Sequence, residues 1–319
     1  MTSSRSRRRA VGLAAFATLL TTAGVGSVAP SSAADTSTCR AHAPTIVASA
    51  PGQTITGTDG DDVIIAWGFA DVTVNAGAGN DLVCGNPVSV DGGDGNDAIV
   101  TVGGTVVGGA GNDAIWHTGG TTDGGPGNDL IEQRQRGTAR GDDGRDTVAA
   151  TIYIGAADPL QPPWESATVE GDPVFDLVGG VGRDLLTVSA PTDGTTSHRC
   201  PTCDLSVDGG DGRDTIAVRG QRAKVHLKKS SVRFAATRVR ARDIENVIGT
   251  SGPDVIVGDD GRNTLSGKGG RDRIFGGRGG DLLKGGGARD VLIGQRGLDG
   301  ALGGGGNDKC RAELAQNCE

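Results

Sequence analysis

The chain has 319 residues, 57 of them Gly, with aromatic side chains at 3% and a formal net charge of −8. So little bulky apolar material excludes an ordinary globular core, and the composition would read as disordered but for Ile, Leu and Val recurring at regular intervals. Acid in excess at regular spacing repels itself until something cationic arrives.

At the N-terminus Arg5, Arg7, Arg8 and Arg9 precede an apolar run over 10–28, and small residues lead to a cleavage point near Ala34. This is a secretory signal pattern. A single transmembrane anchor is the competing reading, but Thr and Gly interrupt the run and a cleavage site follows it, so no anchor is expected. Without residues 1–34 the chain carries 27 basic and 39 acidic side chains, a formal charge of −12. All six cysteines lie in the exported part, where an even count favours disulfides. Neighbourhood suggests Cys39 with Cys84, Cys200 with Cys203 and Cys310 with Cys318, among the fifteen connectivities that six cysteines permit. The CPTC string with His198 would need a thioredoxin-like βαβ context or a second ligand pair to be a redox or zinc site, and neither is visible.

Residues 35–150 form a first region. A nine-residue unit recurs as GTDGDDVII, AGAGNDLVC, GGDGNDAIV, GGAGNDAIW, GGPGNDLIE and GDDGRDTVA, with starts 19, 16, 16, 16 and 17 residues apart. Each unit reads as a tight turn followed by a short strand, and a shortened return strand fills the interval. Ile64, Val83, Ile99, Ile115, Ile131 and Val148 hold the eighth position and should stack inside a solenoid. The acidic loops should lie along one edge only.

Residues 151–248 are less regular. The units GGVGRDLLT and GGDGRDTIA persist, while 151–176, rich in Pro and aromatics, reads as a surface excursion. The stretch 219–242 has nine Lys or Arg and no acid, with Val225, Leu227, Val232, Phe234 and Val239 at strand-like intervals. A basic strand stripe could hold an anionic cell-surface polymer; nucleic acid is the less favoured partner. The bland alternative is the solvated face of extra strands beside an acidic neighbour.

Residues 249–319 form a third region. From 249 to 311 seven units follow without a residue gained or lost: GTSGPDVIV, GDDGRNTLS, GKGGRDRIF, GGRGGDLLK, GGGARDVLI, GQRGLDGAL and GGGGNDKCR. Gly supplies backbone conformations that other residues resist, so a carboxylate can fold over a small loop whose carbonyls point inward. Oxygen ligands on a tight loop suit a hard cation such as Ca²⁺. These units resemble the glycine- and aspartate-rich nonapeptide of the RTX (haemolysin-type) calcium-binding family.

The resemblance implies an all-β fold, a parallel β-roll or β-helix solenoid with Ca²⁺ between stacked turns. It also implies that the sixth-position residue binds metal while loop carbonyls complete the shell. In the first region Asp62, Asp81, Asp97, Asp113, Asp129 and Asp146 would form one file, with Asp184 and Asp214 in the two units that follow. In the last region alternate units share an edge, so Asp254, Asp272, Asp290 and Asp308 would line one side and Asn263, Asp281 and Asp299 the other. Asn263 offers an oxygen without charge and should bind more weakly. Arg145, Arg183, Arg213, Arg262, Arg271 and Arg289 stand at position five, where an arginine could relieve repulsion without metal.

No HExxH or GxSxG motif is present, and no stretch outside the repeats is long enough for an independent enzyme domain. Two classes remain. One is a secreted, non-enzymatic calcium-binding protein, rigidified by Ca²⁺ and working as a cell-surface spacer, adhesin or matrix component. The other is a β-helix enzyme acting on extracellular polysaccharide, for which Trp116, Trp164 and Tyr153 are the candidate platforms.

Overall fold

The computed structural model describes residue 39 and residues 42–151, 174–189, 204–234 and 237–318. They form one 27-stranded sheet wound on itself. Along most of the chain a strand pairs with the second strand along rather than the next, except where Ala114–Asp123 and Leu130–Gly144 pass through both walls and in the stretch 219–242. Val63–Ala66 is parallel to Leu82–Gly85, and that strand to Ala98–Val102. The intervening Thr73–Asn75 pairs in parallel with Ser89–Asp94. The result is a parallel β-roll with two walls. In the N-terminal coils the first wall holds the strands that follow the acidic loops and the second holds the return strands; in the C-terminal coils strands of both walls follow acidic loops.

The register follows from the sequence period. Residues at the eighth position of each unit face inward, and because coils stack without slip they stand directly over one another. Ile64, Val83, Ile99, Ile115, Ile131 and Val148 are partners in successive coils, each 0% exposed. The same ladder continues through Leu186, Ile216, Val247, Leu265, Leu283 and Ala301. The second wall answers with Ile55, Val74, Val90 and Val106. Each buried aliphatic contributes about 1.5–3 kcal/mol, so the two ladders replace the missing aromatic core.

The loops are tight enough to require glycine. At Gly127 φ is +158°, and a Cβ would lie 1.4 Å from the Gly111 carbonyl oxygen in the coil below. No side chain fits there. The hydrophobic spacing sets the walls, and the glycines let the coils close at the stacking distance.

The stretch 219–242 departs from the pattern. Thr237–Arg242 joins the second wall in parallel with Asp204–Gly212. Ser231–Phe234 and Ala223–His226 then add to it antiparallel, before the wall resumes in parallel at Val255–Val257. In the first wall Thr215–Arg219, Asn246–Ile248 and Thr264–Lys268 are immediate neighbours. The second wall therefore carries two strands that the first wall lacks. Val225, Val232, Phe234 and Val239 are buried, as their alternation requires, so this is an integral part of the wall.

Disulfides sit at both ends of the roll, Cys39–Cys84 and Cys310–Cys318. Cys200 and Cys203 and most of the 151–176 excursion lie outside the described residues. Among the described residues no helix is long and apolar enough to cross a membrane.

Candidate metal centre

The sixth position of each unit falls where the loop turns into the first-wall strand, and its side chain folds back under the loop. Asp81, Asp97, Asp113, Asp129, Asp146, Asp184 and Asp214 are each at most 2% exposed. One carboxylate oxygen, Oδ1, accepts a backbone N–H from the coil before: Asp62 donates to Asp81, Asp81 to Asp97, Asp97 to Asp113 and Asp113 to Asp129, all at 2.7–2.8 Å. Asp146, Asp184 and Asp214 continue the file in the same way. It then reaches Glu245, whose carboxylate accepts the Asp214 N–H; the next link reverses, the Asn263 side-chain amide donating to the Glu245 carbonyl, and the file resumes from the Asn263 N–H through Asp281, Asp299 and Glu313. A second file on the other edge joins Asp254, Asp272, Asp290 and Asp308, each N–H again donating to the next Oδ1 at 2.8 Å.

The other carboxylate oxygen is the informative one. Oδ2 of Asp81, Asp97, Asp113, Asp129, Asp146, Asp184, Asp214, Asp272, Asp281, Asp290, Asp299 and Asp308 is buried with no hydrogen-bond partner. Such an orphaned acceptor costs about 1–3 kcal/mol, and more if charged. Its surroundings are further acceptors. A Cβ placed on Gly92 would lie 2.4 Å from Asp97 Oδ2 and 2.2 Å from the Gly108 carbonyl oxygen; on Gly285 the distances to Asp290 Oδ2 and Gly303 O are 2.4 and 2.5 Å. The two oxygens are thus no farther apart than one Ca²⁺ with ligand distances of about 2.3–2.6 Å can span. The first-position glycine keeps a side chain out of that space. Among the described residues no three His, Cys, Asp or Glu side chains converge as a metal cluster, so a cation here would draw most of its shell from carbonyls.

Electrostatics point the same way. Burial, the largest cause in each case, pushes Asp129 up to about 8, Asp81, Asp97 and Asp272 to about 7, and Asp113, Asp146, Asp214 and Asp281 to about 6. The backbone N–H donors oppose that rise, and neighbouring carboxylates reinforce it at Asp129 and Asp81. Stacked charges one strand spacing apart, about 4.8 Å, repel by about 3 kcal/mol at an effective dielectric constant near 20. A proton or a cation must relieve that.

Three sixth-position residues differ. Asp62 Oδ2 accepts from the Thr58 N–H and hydroxyl, and Asp254 Oδ2 from the Thr250 N–H. Burial raises Asp62, but the hydrogen bonds from Thr58 and Thr45 outweigh it and hold the carboxyl low. Asn263 Oδ1 is satisfied by the Asp259 N–H, and its amide donates to the Glu245 carbonyl. Of the arginines at position five, Arg145, Arg183, Arg262, Arg271 and Arg289 are exposed and Arg213 is half-buried, and none forms an ion pair with the acidic files among the described residues.

Sequence reasoning missed Glu245 and Glu313, which take the aspartate place in the first file. It also missed a second ladder at position five, where each Asn accepts from the next coil: Asn80 with Asp61, Asn96 with Asn80, Asn112 with Asn96 and Asn128 with Asn112, at 2.8–3.2 Å. The repeated Asn was a legible signal for it. Of the groups considered for a polysaccharide-cleaving site, Trp116 and the basic strands lie on different walls. Trp116 faces outward on the first wall beside Val100 and Glu132, the basic strands lie on the second wall, and Tyr153 and Trp164 are outside the described residues.

A parallel β-roll with glycine-gated, oxygen-lined turns defines a cation-binding repeat solenoid. Residues 248–283 and 275–310 each match the family described as RTX calcium-binding nonapeptide repeat (4 copies), and such repeats bind Ca²⁺. This segment of the chain is thus similar to RTX repeats. No curated protein matches the chain.

Proposed function

We propose that this is a secreted, non-enzymatic protein whose roll is ordered by Ca²⁺ and serves outside the cell as a rigid spacer or adhesive surface component. Residues 1–34 act as the signal peptide. Residues 35–150 are a one-edged array, 151–248 an irregular middle with inserts, and 249–319 a two-edged array. The ligands are Asp62, Asp81, Asp97, Asp113, Asp129, Asp146, Asp184 and Asp214, then Asp254, Asn263, Asp272, Asp281, Asp290, Asp299 and Asp308. Asp62, Asp254 and Asn263 contribute least, since their own loops already satisfy them.

The observation that supports this reading best is the row of orphaned Oδ2 atoms facing carbonyls across glycine. When bound, the ion supplies charge compensation and links adjacent loops. Its binding free energy becomes folding free energy, because the oxygens converge only in the folded chain. Circular dichroism of residues 35–319 during a Ca²⁺ titration tests it. β structure should appear at about 10⁻⁴ to 10⁻³ M, as in extracellular modules, and Mg²⁺ should substitute poorly. A spectrum unaffected by excess chelator would overturn it.

A further inference from the structure

The two strands that the second wall gains build a feature unrelated to the acidic loops. Register places Arg238 opposite Arg233, and Arg233 opposite Lys224. The same row continues through Val255, Arg273, Val291 and Lys309. All five cations are exposed and face outward. At about 4.8 Å per strand the row runs about 29 Å straight along the roll axis. The neighbouring row, Arg240, Ser231, His226, Val257, Phe275, Ile293 and Arg311, carries no acid over the same strands, although beyond Arg240 it continues through Ser206 to Asp176.

This arrangement works against the fold. Like charges directly opposite on adjacent strands are destabilising, and here two such pairs stand in succession. No ion pair relieves Arg238, Arg233, Lys224, Arg273 or Lys309 among the described residues, whereas Lys228 and Arg242 nearby do pair, with Asp260 and Asp208. The walls would close equally well with Thr or Ser at these outward positions. In the first region one outward row of the same wall is made that way, from Thr54, Thr73, Ser89, Thr105, Thr121 and Thr138.

We propose that this cationic track binds a linear acidic polysaccharide laid along the roll axis, resting on the Ca²⁺-ordered fold proposed above for the strands to exist. A straight line of single cations suits an extended polymer. A uronic acid chain, with one carboxylate per sugar ring, repeats its charge on a length comparable to the strand spacing. Single-stranded nucleic acid binding relies on aromatic stacking platforms along the basic groove, and this row has none. The apolar residues between the cations, Val255 and Val291, are half-buried and flush with the wall, so they offer a lipid surface little to insert.

The test is retention of residues 35–319 on immobilised polygalacturonate at a Ca²⁺ concentration that keeps the chain folded, with circular dichroism on the same samples. The triple variant Lys224→Gln, Arg233→Gln, Arg238→Gln should bind roughly tenfold more weakly or worse. The control Arg271→Gln, Arg289→Gln, Arg296→Gln, with the same charge change on the loops, should bind within about twofold of the parent, and salt should weaken parent binding through screening. Equal loss in both triples, no retention of the parent, or tighter binding to poly-dT or to vesicles containing phosphatidylglycerol would overturn the proposal. Retention that survives chelator in a chain that also stays folded would keep the track and sink the Ca²⁺-ordered reading instead.

Discussion

The two ends of the roll solve the same stacking problem with different amounts of charge. In the N-terminal coils the far edge turns through residues such as Gly103 and Gly104, with φ of +72° and +83°, and carries no acidic loop. In the C-terminal coils both edges are nonapeptide loops, and each edge has its own file. The first array adds the asparagine ladder beside its single file; the second has no such ladder among the described residues. Wall packing is alike in both, since the inward aliphatic ladder is continuous. The difference therefore lies in the loops: the C-terminal array should lean harder on cations, and the N-terminal array on neutral hydrogen bonds.

The sharpest way to break that comparison is to vary pH without metal. Asp81, Asp97, Asp129, Asp272 and Asp281 bind their protons more tightly in the fold than in the unfolded chain, where the value is near 4. The stabilisation they give is therefore complete below about pH 4 and is lost as pH rises through the folded values of about 6 to 8. With chelator present, β structure should persist at pH 4.5 and largely disappear by pH 8, and Ca²⁺ should restore it at pH 8. Hydrogen exchange should show the C-terminal coils opening first. Equal protection of both arrays at every pH would end the comparison.

Glycine substitutions give the next largest effect. Gly127→Ala forces a Cβ into the carbonyl of the coil below at a positive φ, and should cost roughly 3–5 kcal/mol or prevent folding of those coils. Gly261 holds the same place in its unit, yet a Cβ there would meet only Asp259 Oδ1, at 3.3 Å. Gly261→Ala should cost less than about 1 kcal/mol. Thermal melts in saturating Ca²⁺ measure both.

These contrasts also mark what was legible in the sequence. The strict period of nine carried the roll, its inward ladder and the alternation of files in 249–311, because side-chain direction in stacked strands follows directly from spacing. Position alone did not reveal that Thr58 and Thr250 satisfy the first aspartate of each file. A Thr at position two is common chemistry, and its role depends on which coil lies beneath. Glu245 was missed for a related reason: its longer side chain reaches the Asp214 N–H from outside the consensus. The basic stretch read as strands from its alternation, but the antiparallel insertion that lines up Arg238, Arg233 and Lys224 depends on long-range register, which a local pattern does not encode.

A more modest effect sharpens the picture within one file. Asp281 keeps an orphaned Oδ2, whereas Asn263 is satisfied on both amide atoms. Asp281→Ala should raise the Ca²⁺ midpoint for folding severalfold, and Asn263→Ala should change it much less. Asn263→Asp should lower the midpoint by adding a charged ligand. Identical midpoints for the two alanine variants would argue against ligation at this position.

The smallest predicted effect concerns the feature that only the N-terminal array has. Asn112 donates its amide to Asn96 and accepts both the backbone N–H and the amide of Asn128, at 2.8–3.0 Å. The side chain is exposed, so water replaces much of what is lost, and Asn112→Ala should cost about 1 kcal/mol in Ca²⁺-saturated protein. The interest lies in the metal-free state at low pH. If the ladder is what lets a one-edged array stand with fewer cations, the same substitution should there speed hydrogen exchange across the coils containing Asn96, Asn112 and Asn128 and leave the C-terminal coils unchanged. Exchange that rises equally in both arrays would mean that the ladder has no local role, and the N-terminal coils would then depend on their cations as fully as the C-terminal ones.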